Sequence, residues 1–146
     1  MLIGEYKFLI DEKKRLAIPS KFRKSLGKKV VIARGIDNCL VIYHLNEWTK
    51  EAKKLEGLNK NQSAPRSLAR IMFSGACDVD IDKLGRVLIP DYLMKYAFLK
   101  KNAAILGLSD RIEVWDDEKW EENKKKTEMS VSDIAENINS SGTQEN

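Results

Sequence analysis

The 146-residue sequence contains little that could bind a metal or carry redox chemistry. It has two cysteines, Cys39 and Cys77, and one histidine, His44. A structural zinc site needs about four such ligands, and the two cysteines lack the paired spacing of zinc or thiol–disulfide motifs. Both cysteines fall in strand-like apolar runs, so we expect buried, reduced thiols. His44 ends a predicted strand without a catalytic partner in its pattern, which indicates a structural role.

Other signatures are missing as well. No apolar run approaches the ~18 residues of a membrane span, and the first residues, from Met1 to Lys7, lack the architecture of a signal peptide. The sequence has neither a glycine-rich phosphate loop nor a G-x-S-x-G nucleophile motif. We therefore expect a cytoplasmic protein that is not an enzyme and needs no cofactor, no metal and no membrane.

Charge is abundant and unevenly distributed. The chain has 26 Lys or Arg against 22 Asp or Glu, a net charge of +4. Residues 1–73 hold 16 basic and 7 acidic side chains, whereas residues 74–146 hold 10 and 15. Such asymmetry indicates a polyanionic partner for the basic half, or two halves that attract one another. Charge alone leaves both interpretations open.

A nine-residue pattern occurs twice, as Asp11–Pro19 and Asp82–Pro90. Both copies read D-x-x-x-R, three apolar residues and proline, at an offset of 71. The match extends upstream to Gly4 and Gly75 and downstream to Trp48 and Trp120. Two copies are too few and too long for a stacked solenoid, so we expect two small domains packed on each other.

Each copy predicts the order strand, turn, strand, short helix, strand, strand, helix. The predicted strands cover residues 5–10, 15–18, 29–33 and 39–44, then 76–81, 86–89, 103–106 and 111–115. The fold class is mainly β with short helices (α+β), and a closed or interleaved β-barrel shared by both copies would remove exposed strand edges. The expected segments are a first repeat (5–48), a linker and connecting helix (49–74), a second repeat (75–120) and a polar, disordered tail (121–146).

The turns are the strongest candidates for function. Around the first turn lie eight basic residues within positions 11–29, and such side chains can neutralise phosphates. An arginine at a turn can also make a bidentate contact to guanine in the major groove, which admits a two-stranded β-ribbon. The aspartates suit a role in forming the turn and orienting the arginine. The alternative is that Asp and Arg pair only to hold each hairpin.

Three aspartates, Asp78, Asp80 and Asp82, alternate along one face of a predicted strand. Convergent carboxylates could hold a catalytic metal. No histidine or further acidic cluster converges on them by spacing, so we expect an exposed strand or one that faces a basic surface.

The two turns and their surroundings resemble the MraZ family, bacterial proteins made of two SpoVT-AbrB repeats. The resemblance covers about residues 1–122 and rests on five stretches: Asp11–Pro19, Trp48, Arg70–Ala76, Asp82–Pro90 and Leu106–Trp115. It implies a pseudo-two-fold β-barrel of tandem swapped-hairpin repeats. It also implies ring-shaped homo-oligomers that bind short direct repeats of double-stranded DNA in the promoter of the division and cell-wall gene cluster.

The resemblance places the functional positions on Asp11, Arg15, Asp82 and Arg86. Family members usually have glycine before the motif arginine; Gly85 keeps this pattern, and Lys14 departs from it. If that position needs a positive φ, Lys14 is strained there, and the first turn takes another shape.

The leading hypothesis is a sequence-specific DNA-binding transcriptional regulator in the cytoplasm and nucleoid. The predicted DNA-contacting residues are Asp11, Lys13, Lys14, Arg15, Lys21, Arg23, Lys24, Asp82, Lys83 and Arg86. We expect the more basic first turn to dominate, so that Arg15→Ala weakens binding more than Arg86→Ala. One alternative is an oligomeric scaffold that binds polyanions non-specifically, and another is an enzyme that uses the aspartate trio.

Overall fold

A computed structural model gives the architecture of the chain. It describes residues 1–145, with side chains described for residues 1–140. The chain divides into a compact unit, Met1–Asp116, and a second unit that starts at Asp117. The first unit therefore holds the first repeat and the second repeat up to residue 116. Within the described chain, no helix is both long and apolar enough to cross a membrane.

The first unit contains short strands and helices in the predicted order. These are β1 (Leu2–Leu9), β2 (Arg15–Ala17), α1 (Ser20–Leu26), β3 (Lys29–Arg34), β4 (Leu40–His44), α2 (Leu45–Glu56), α3 (Ser63–Gly75), β5 (Cys77–Asp80), β6 (Arg86–Leu88), α4 (Asp91–Tyr96), β7 (Asn102–Ser109) and β8 (Arg111–Asp116). The α+β class, mainly β with short helices, is confirmed.

Proline and glycine define the short helices. Pro19 and Pro90 immediately precede α1 and α4, where a fixed φ is compatible with the first turn and no N–H is lost from the helix. Gly27 ends α1 with a φ of 79°, a conformation that glycine adopts without steric cost. Phe22 and Leu26, four residues apart, are the buried side chains of α1, as the spacing predicts.

The strands of the two repeats interleave in one sheet. The six-stranded sheet has the order β1-β7-β8-β4-β3-β5, and β2 pairs with β6 in a separate two-stranded ribbon. β1 of the first repeat pairs with β7 of the second, and β5 of the second pairs with β3 of the first, all antiparallel. The backbone hydrogen bonds that complete the sheet therefore cross between the repeats.

The expected closed barrel is wrong. β1 and β5 are the two edges of the six-stranded sheet, and no pairing joins them in the described residues. Instead, the β2–β6 ribbon, α1 and α4 pack their apolar side chains against one face of the six-stranded sheet and bury it. The core is therefore covered by these elements and is not enclosed by a barrel.

In two strand pairings, a residue of the first repeat pairs with the equivalent residue of the second repeat. Leu16 pairs with Val87 in the ribbon, and Val41 pairs with Glu113 in the β4–β8 pair. Each couple consists of matched positions of the sequence repeat, at offsets of 71 and 72. A two-fold axis relates such couples, so a pseudo-two-fold axis passes through both pairings.

The main core lies between the sheet and the ribbon. Its most buried large side chains include Leu16, Ile18, Ile42, Ile89 and Leu93, none more than 1% exposed. On the other face of the sheet, α2 packs Trp48 against Ala33, Val41 and Tyr43. The ring centroids of Trp48 and Tyr43 are 5.7 Å apart. Trp48 is thus a packing residue of a second apolar cluster.

The remaining helices have simple local determinants. α2 begins at Leu45, where the Nδ1 atom of the preceding His44 accepts a hydrogen bond from the backbone N–H of Asn46 at 3.0 Å. The segment predicted as a disordered tail continues a helix, α5 (Asp117–Glu145). Residues 117–141 contain no glycine or proline, and a Lys124–Glu121 ion pair of 3.3 Å adds local support. Residue 146 of that tail lies outside the described residues.

Candidate nucleic-acid interface

Each copy of the D-x-x-x-R pattern forms the same hydrogen-bonded turn. In the first turn, Asp11 Oδ1 accepts from the backbone N–H groups of Lys13 and Arg15, at 2.9 Å each. The backbone N–H of Lys14 donates to the carbonyl of Asp11 at 3.0 Å. A side chain that bonds to its own following backbone is the reason aspartate suits such turns.

The second turn repeats this arrangement. Asp82 Oδ1 accepts from the backbone N–H groups of Leu84 and Arg86, at 2.9 and 2.8 Å. The N–H of Gly85 donates to the carbonyl of Asp82 at 2.9 Å. The two turns are therefore equivalent in backbone structure.

Lys14 takes the left-handed conformation that Gly85 takes in the second copy. Their φ angles are 61° and 79°. The first turn therefore keeps the shape of the second, and the expectation of a different shape is wrong. A non-glycine residue in this region has a cost of order 1 kcal/mol, and the hydrogen bonds of the turn offset it.

Each aspartate also holds its arginine. The Nε–H of Arg15 donates to Asp11 Oδ2 at 2.7 Å, and that of Arg86 donates to Asp82 Oδ2 at 2.9 Å. The arginine side chains remain 32% and 27% exposed. The pairing occupies Nε and leaves the terminal nitrogens, Nη1 and Nη2, of Arg15 without a hydrogen bond in the described part of the chain. Pairing within the hairpin is thus compatible with an outward-facing guanidinium.

The two turns lie side by side. Nη1 of Arg86 is 4.0 Å from Oδ2 of Asp11. In the ribbon, Arg15 pairs with Leu88 and Ala17 pairs with Arg86. The pseudo-two-fold axis therefore brings both arginines to one surface of the molecule, although 71 residues separate them in the sequence.

The hydrogen bonds that hold the turns also lower two pKa values. The pKa of Asp11 lies below its usual value because the Arg15 backbone N–H, and then the Arg15 side chain, stabilise the carboxylate. The pKa of Asp82 is lowered in the same way by Arg86. Both carboxylates are therefore ionised, and able to bind arginine, throughout the neutral pH range.

Each turn lies beside the helix of the other repeat. The N–H of Ile18, just before α1, donates to the carbonyl of Gly85 at 2.8 Å. The N–H of Ile89, just before α4, donates to the carbonyl of Lys14 at 2.9 Å. The helix that follows each ribbon strand therefore starts beside the turn of the other repeat: α1 beside the second turn and α4 beside the first.

This crossing redistributes the basic side chains of the first repeat. Arg23, on α1, lies against the second turn, where a Cβ at Gly85 would overlap its guanidinium. Its Nε–H donates to the carbonyl of Ile18 at 2.9 Å. Lys14, on the first turn, forms an ion pair of 3.3 Å with Asp91 of α4. The basic residues of the first repeat are therefore divided between the two turns.

The other predicted lysines are at the surface. Lys13 and Lys83 are exposed on the two turns, and Lys21 and Lys24 are exposed on α1. Since α1 starts next to the second turn, Lys21 and Lys24 belong to the helix of that side. All four can accept a polyanion without rearrangement of the core.

The aspartate trio does not converge. Nζ of Lys29 lies 3.7 Å from Asp78 and 3.8 Å from Asp80, and Asp82 is engaged in its turn. Residues 1–145 contain no group of three or more His, Cys, Asp or Glu side chains placed to hold a metal ion. As the sequence suggested, this strand faces a basic residue of the first repeat.

The cysteines are free thiols in packed surroundings. Cys39 is 1% exposed, and burial raises the pKa of its thiol to about 12. Cys77 is half-buried, and burial also raises its pKa. Thiols with raised pKa values are poor nucleophiles at neutral pH. Cys39 is buried as expected, whereas Cys77 is only partly buried.

Sequence reasoning missed Arg34 and Asp91. Nη1 of Arg34 donates to the carbonyl of Ile71 at 2.9 Å, and its Cζ lies 5.7 and 5.5 Å from the ring centroids of Tyr92 and Tyr96. Arg34 therefore joins α3 to α4. No local sequence signal marks either residue, because both act on partners distant in the chain.

Comparison with known proteins identifies the duplication. The sequence model of the family described as "MraZ protein, putative antitoxin-like" matches residues 1–71 and again residues 72–140. The chain belongs to the MraZ family. The two matches meet after residue 71, in agreement with the 71-residue offset between the turns. The MraZ match also extends over most of α5, beyond the part of the chain that the repeat pattern covers.

Individual MraZ proteins are similar over nearly their full lengths. "Transcriptional regulator MraZ" of Acetivibrio thermocellus is 45% identical over 138 residues, which cover 94% of this chain and 96% of the relative. The protein of the same name from Caldicellulosiruptor saccharolyticus is 43% identical over 142 residues, 97% and 99% of the two chains. That of Pediococcus pentosaceus is 43% identical over 138 residues.

Proposed function

We propose that the chain is a sequence-specific DNA-binding transcriptional regulator and not an enzyme. The observation that carries the proposal is the pair of equivalent turns, each presenting an arginine held by its own aspartate on one shared surface. The similarity to proteins named transcriptional regulators supports it.

The two arginines are suited to reading bases. A guanidinium held at Nε keeps its terminal nitrogens in a fixed fork, and such a fork matches the O6 and N7 acceptors of guanine in the major groove. Arg15 and Arg86 meet this description, and they lie at the ends of a two-stranded ribbon, an element that the major groove admits. Asp11 and Asp82 orient the arginines and do not contact phosphate, since a carboxylate repels it.

Lysines and one further arginine supply the affinity. Lys13 and Lys83 on the turns, with Lys21, Arg23 and Lys24 on α1, neutralise phosphates on both sides of the groove. Each neutralised phosphate releases counterions, so binding weakens as salt rises. Lys14 contributes less than its charge suggests, because Asp91 already pairs with it.

The finer parts of the proposal concern assembly and target. The chain forms a homo-oligomeric ring in the cytoplasm, at the nucleoid, and binds short direct repeats in the promoter of the division and cell-wall gene cluster. A ring presents many copies of the same turns, so adjacent boxes are bound with avidity although each single contact is weak.

Fluorescence anisotropy tests the proposal directly. A labelled promoter duplex with repeated boxes is compared with a scrambled duplex of the same composition, across a salt series. We expect a preference for the boxes that persists near physiological salt. Equal binding to both duplexes, lost steeply with salt, would instead mean non-specific polyanion binding, and the scaffold interpretation would replace the regulator. Sedimentation of the protein in the same salt series reports whether the ring is present.

A further inference from the structure

The two turns have the same backbone but face different helix residues. The first turn has Lys14 at its left-handed position and faces Asp91, the first residue of α4. The second turn has Gly85 there and faces α1, whose first residue is Ser20. Asp91 and Ser20 are matched positions of the repeat, 71 residues apart. The carboxylate thus exists on one side only.

At the first turn, the charges of Lys14 and Asp91 cancel. Nζ of Lys14 lies 3.3 Å from Oδ1 of Asp91, and the two side chains are 43% and 74% exposed. Both groups are open to solvent and to a phosphate that approaches the turn. An incoming phosphate would meet a lysine that is already paired and a carboxylate that repels it.

At the second turn, the positive charge of Arg23 has no matching carboxylate at position 20. Gly85 has no side chain, and the guanidinium of Arg23 occupies the space above it. Position 94, which matches Arg23 in the repeat, is a methionine, so the first turn has no such arginine. The summed side-chain charge of these three matched positions is zero at the first turn (Lys14, Asp91, Met94) and +1 at the second (Gly85, Ser20, Arg23).

We propose that Asp91 lowers the phosphate affinity of the first turn by pairing with Lys14, which makes the two turns unequal DNA-binding halves with the second turn the stronger. The inference rests on the proposed function. The charge of the linear sequence predicts that the first turn binds DNA more strongly. The inference predicts the reverse, because each turn lies beside the helix of the other repeat. Asp91 is therefore a residue that tunes affinity and does not itself contact the bases.

The decisive variant is Asp91→Asn, measured by anisotropy with the box and scrambled duplexes. Release of Lys14 should tighten binding about two- to fivefold, the range of one exposed ion pair, and should steepen the salt dependence by about one phosphate contact. Glu56→Gln is the matched control, since it removes one exposed negative charge at the end of α2, and it should change neither quantity. Asp91→Glu should behave as the wild type.

A double variant separates local from general charge effects. In a Lys14→Gln background, Asp91→Asn should give little or none of the gain, because no lysine is left to release. The reciprocal change Ser20→Asp should weaken binding by placing a carboxylate near Arg23. Circular dichroism of each variant confirms that the fold is retained.

The outcomes distinguish this inference from the proposed function. An Asp91→Asn protein that binds like the Glu56→Gln control, or a gain that persists with Lys14→Gln, overturns the inference while the wild-type preference for boxes stands. A wild-type protein without that preference overturns sequence-specific regulation, whereas the Asp91 effect, being a phosphate effect, is still measured on both duplexes. Failure of the wild type to bind either duplex overturns both.

Discussion

Asp11 and Asp82 each accept hydrogen bonds from two backbone N–H groups and from one arginine side chain. A single carboxylate therefore fixes both the turn and the orientation of the guanidinium. The pattern D-x-x-x-R contains both partners, which is why the sequence predicts this part of the site well.

The lowered pKa of Asp11 predicts a pH dependence. Its folded-state value lies below the ordinary 3.8, so its contribution to stability is present above that pH and is lost as pH falls through the lowered value. We expect Asp11→Asn to reduce the free energy of unfolding at neutral pH, and the difference from the wild type to shrink below about pH 4. Urea unfolding at several pH values measures it. Glu12→Gln, in the same turn, is the control, and a difference that does not change with pH would contradict the assignment.

Burial predicts unequal reactivity of the two thiols. Cys39 is 1% exposed with a pKa raised to about 12, whereas Cys77 is only half-buried. With a thiol reagent at about pH 8, we expect Cys77 to react slowly and Cys39 to react only when the protein unfolds. The Cys77→Ser variant isolates the second thiol. Prompt labelling of Cys39 in the folded variant would show that the β4 region is not packed as described.

At the scale of elements, the β2–β6 ribbon connects the site to the core. Leu16 and Val87, paired at the pseudo-two-fold axis, are both fully buried, while Leu88 of the same ribbon is 57% exposed. The ribbon therefore has one face in the core and one at the surface. The turns at its ends are positioned by that burial.

Truncation within the ribbon tests this role. Leu16→Ala should lower the free energy of unfolding by about 2–5 kcal/mol, the cost of a large-to-small change in a core. Leu88→Ala, the matched control, should change it by about 0.5 kcal/mol or less. Denaturant unfolding monitored by tryptophan fluorescence gives both values. Similar effects at the two positions would mean that the ribbon does not seal the core.

The elements themselves were largely predictable, but their partners were not. Alternating apolar residues predicted the strands, and the repeated pattern predicted the order of strands and short helices. Which strand pairs with which depends on contacts between repeats, so the open sheet edges and the exchange of α1 and α4 between the turns had no local signal. For the same reason, the Lys14–Asp91 ion pair and the Arg23–Gly85 contact were found only in the structure.

At the scale of the whole molecule, the interleaved repeats act as one folding unit. β1 depends on β7, β5 depends on β3, and the two strands of the ribbon come from different repeats. We expect a fragment of residues 1–74 not to fold as a monomer, since β1 and β2 lose their partners; it should be unfolded or self-associate. Circular dichroism with analytical ultracentrifugation distinguishes these states. A folded, cooperative monomer would contradict the interleaved topology.

The central claim is that the two arginines read DNA bases through their guanidinium forks and not through charge alone. The most direct measurement is the ratio of the dissociation constants for scrambled and box duplexes in Arg15→Lys and Arg86→Lys, with Arg70→Lys on α3 as the control. Lysine keeps the charge but loses the fork. We predict a fall in the ratio of about tenfold for each turn variant, from the loss of a bidentate base contact, with the salt dependence unchanged. A ratio that stays at the wild-type value in both variants would show that the arginines supply only charge.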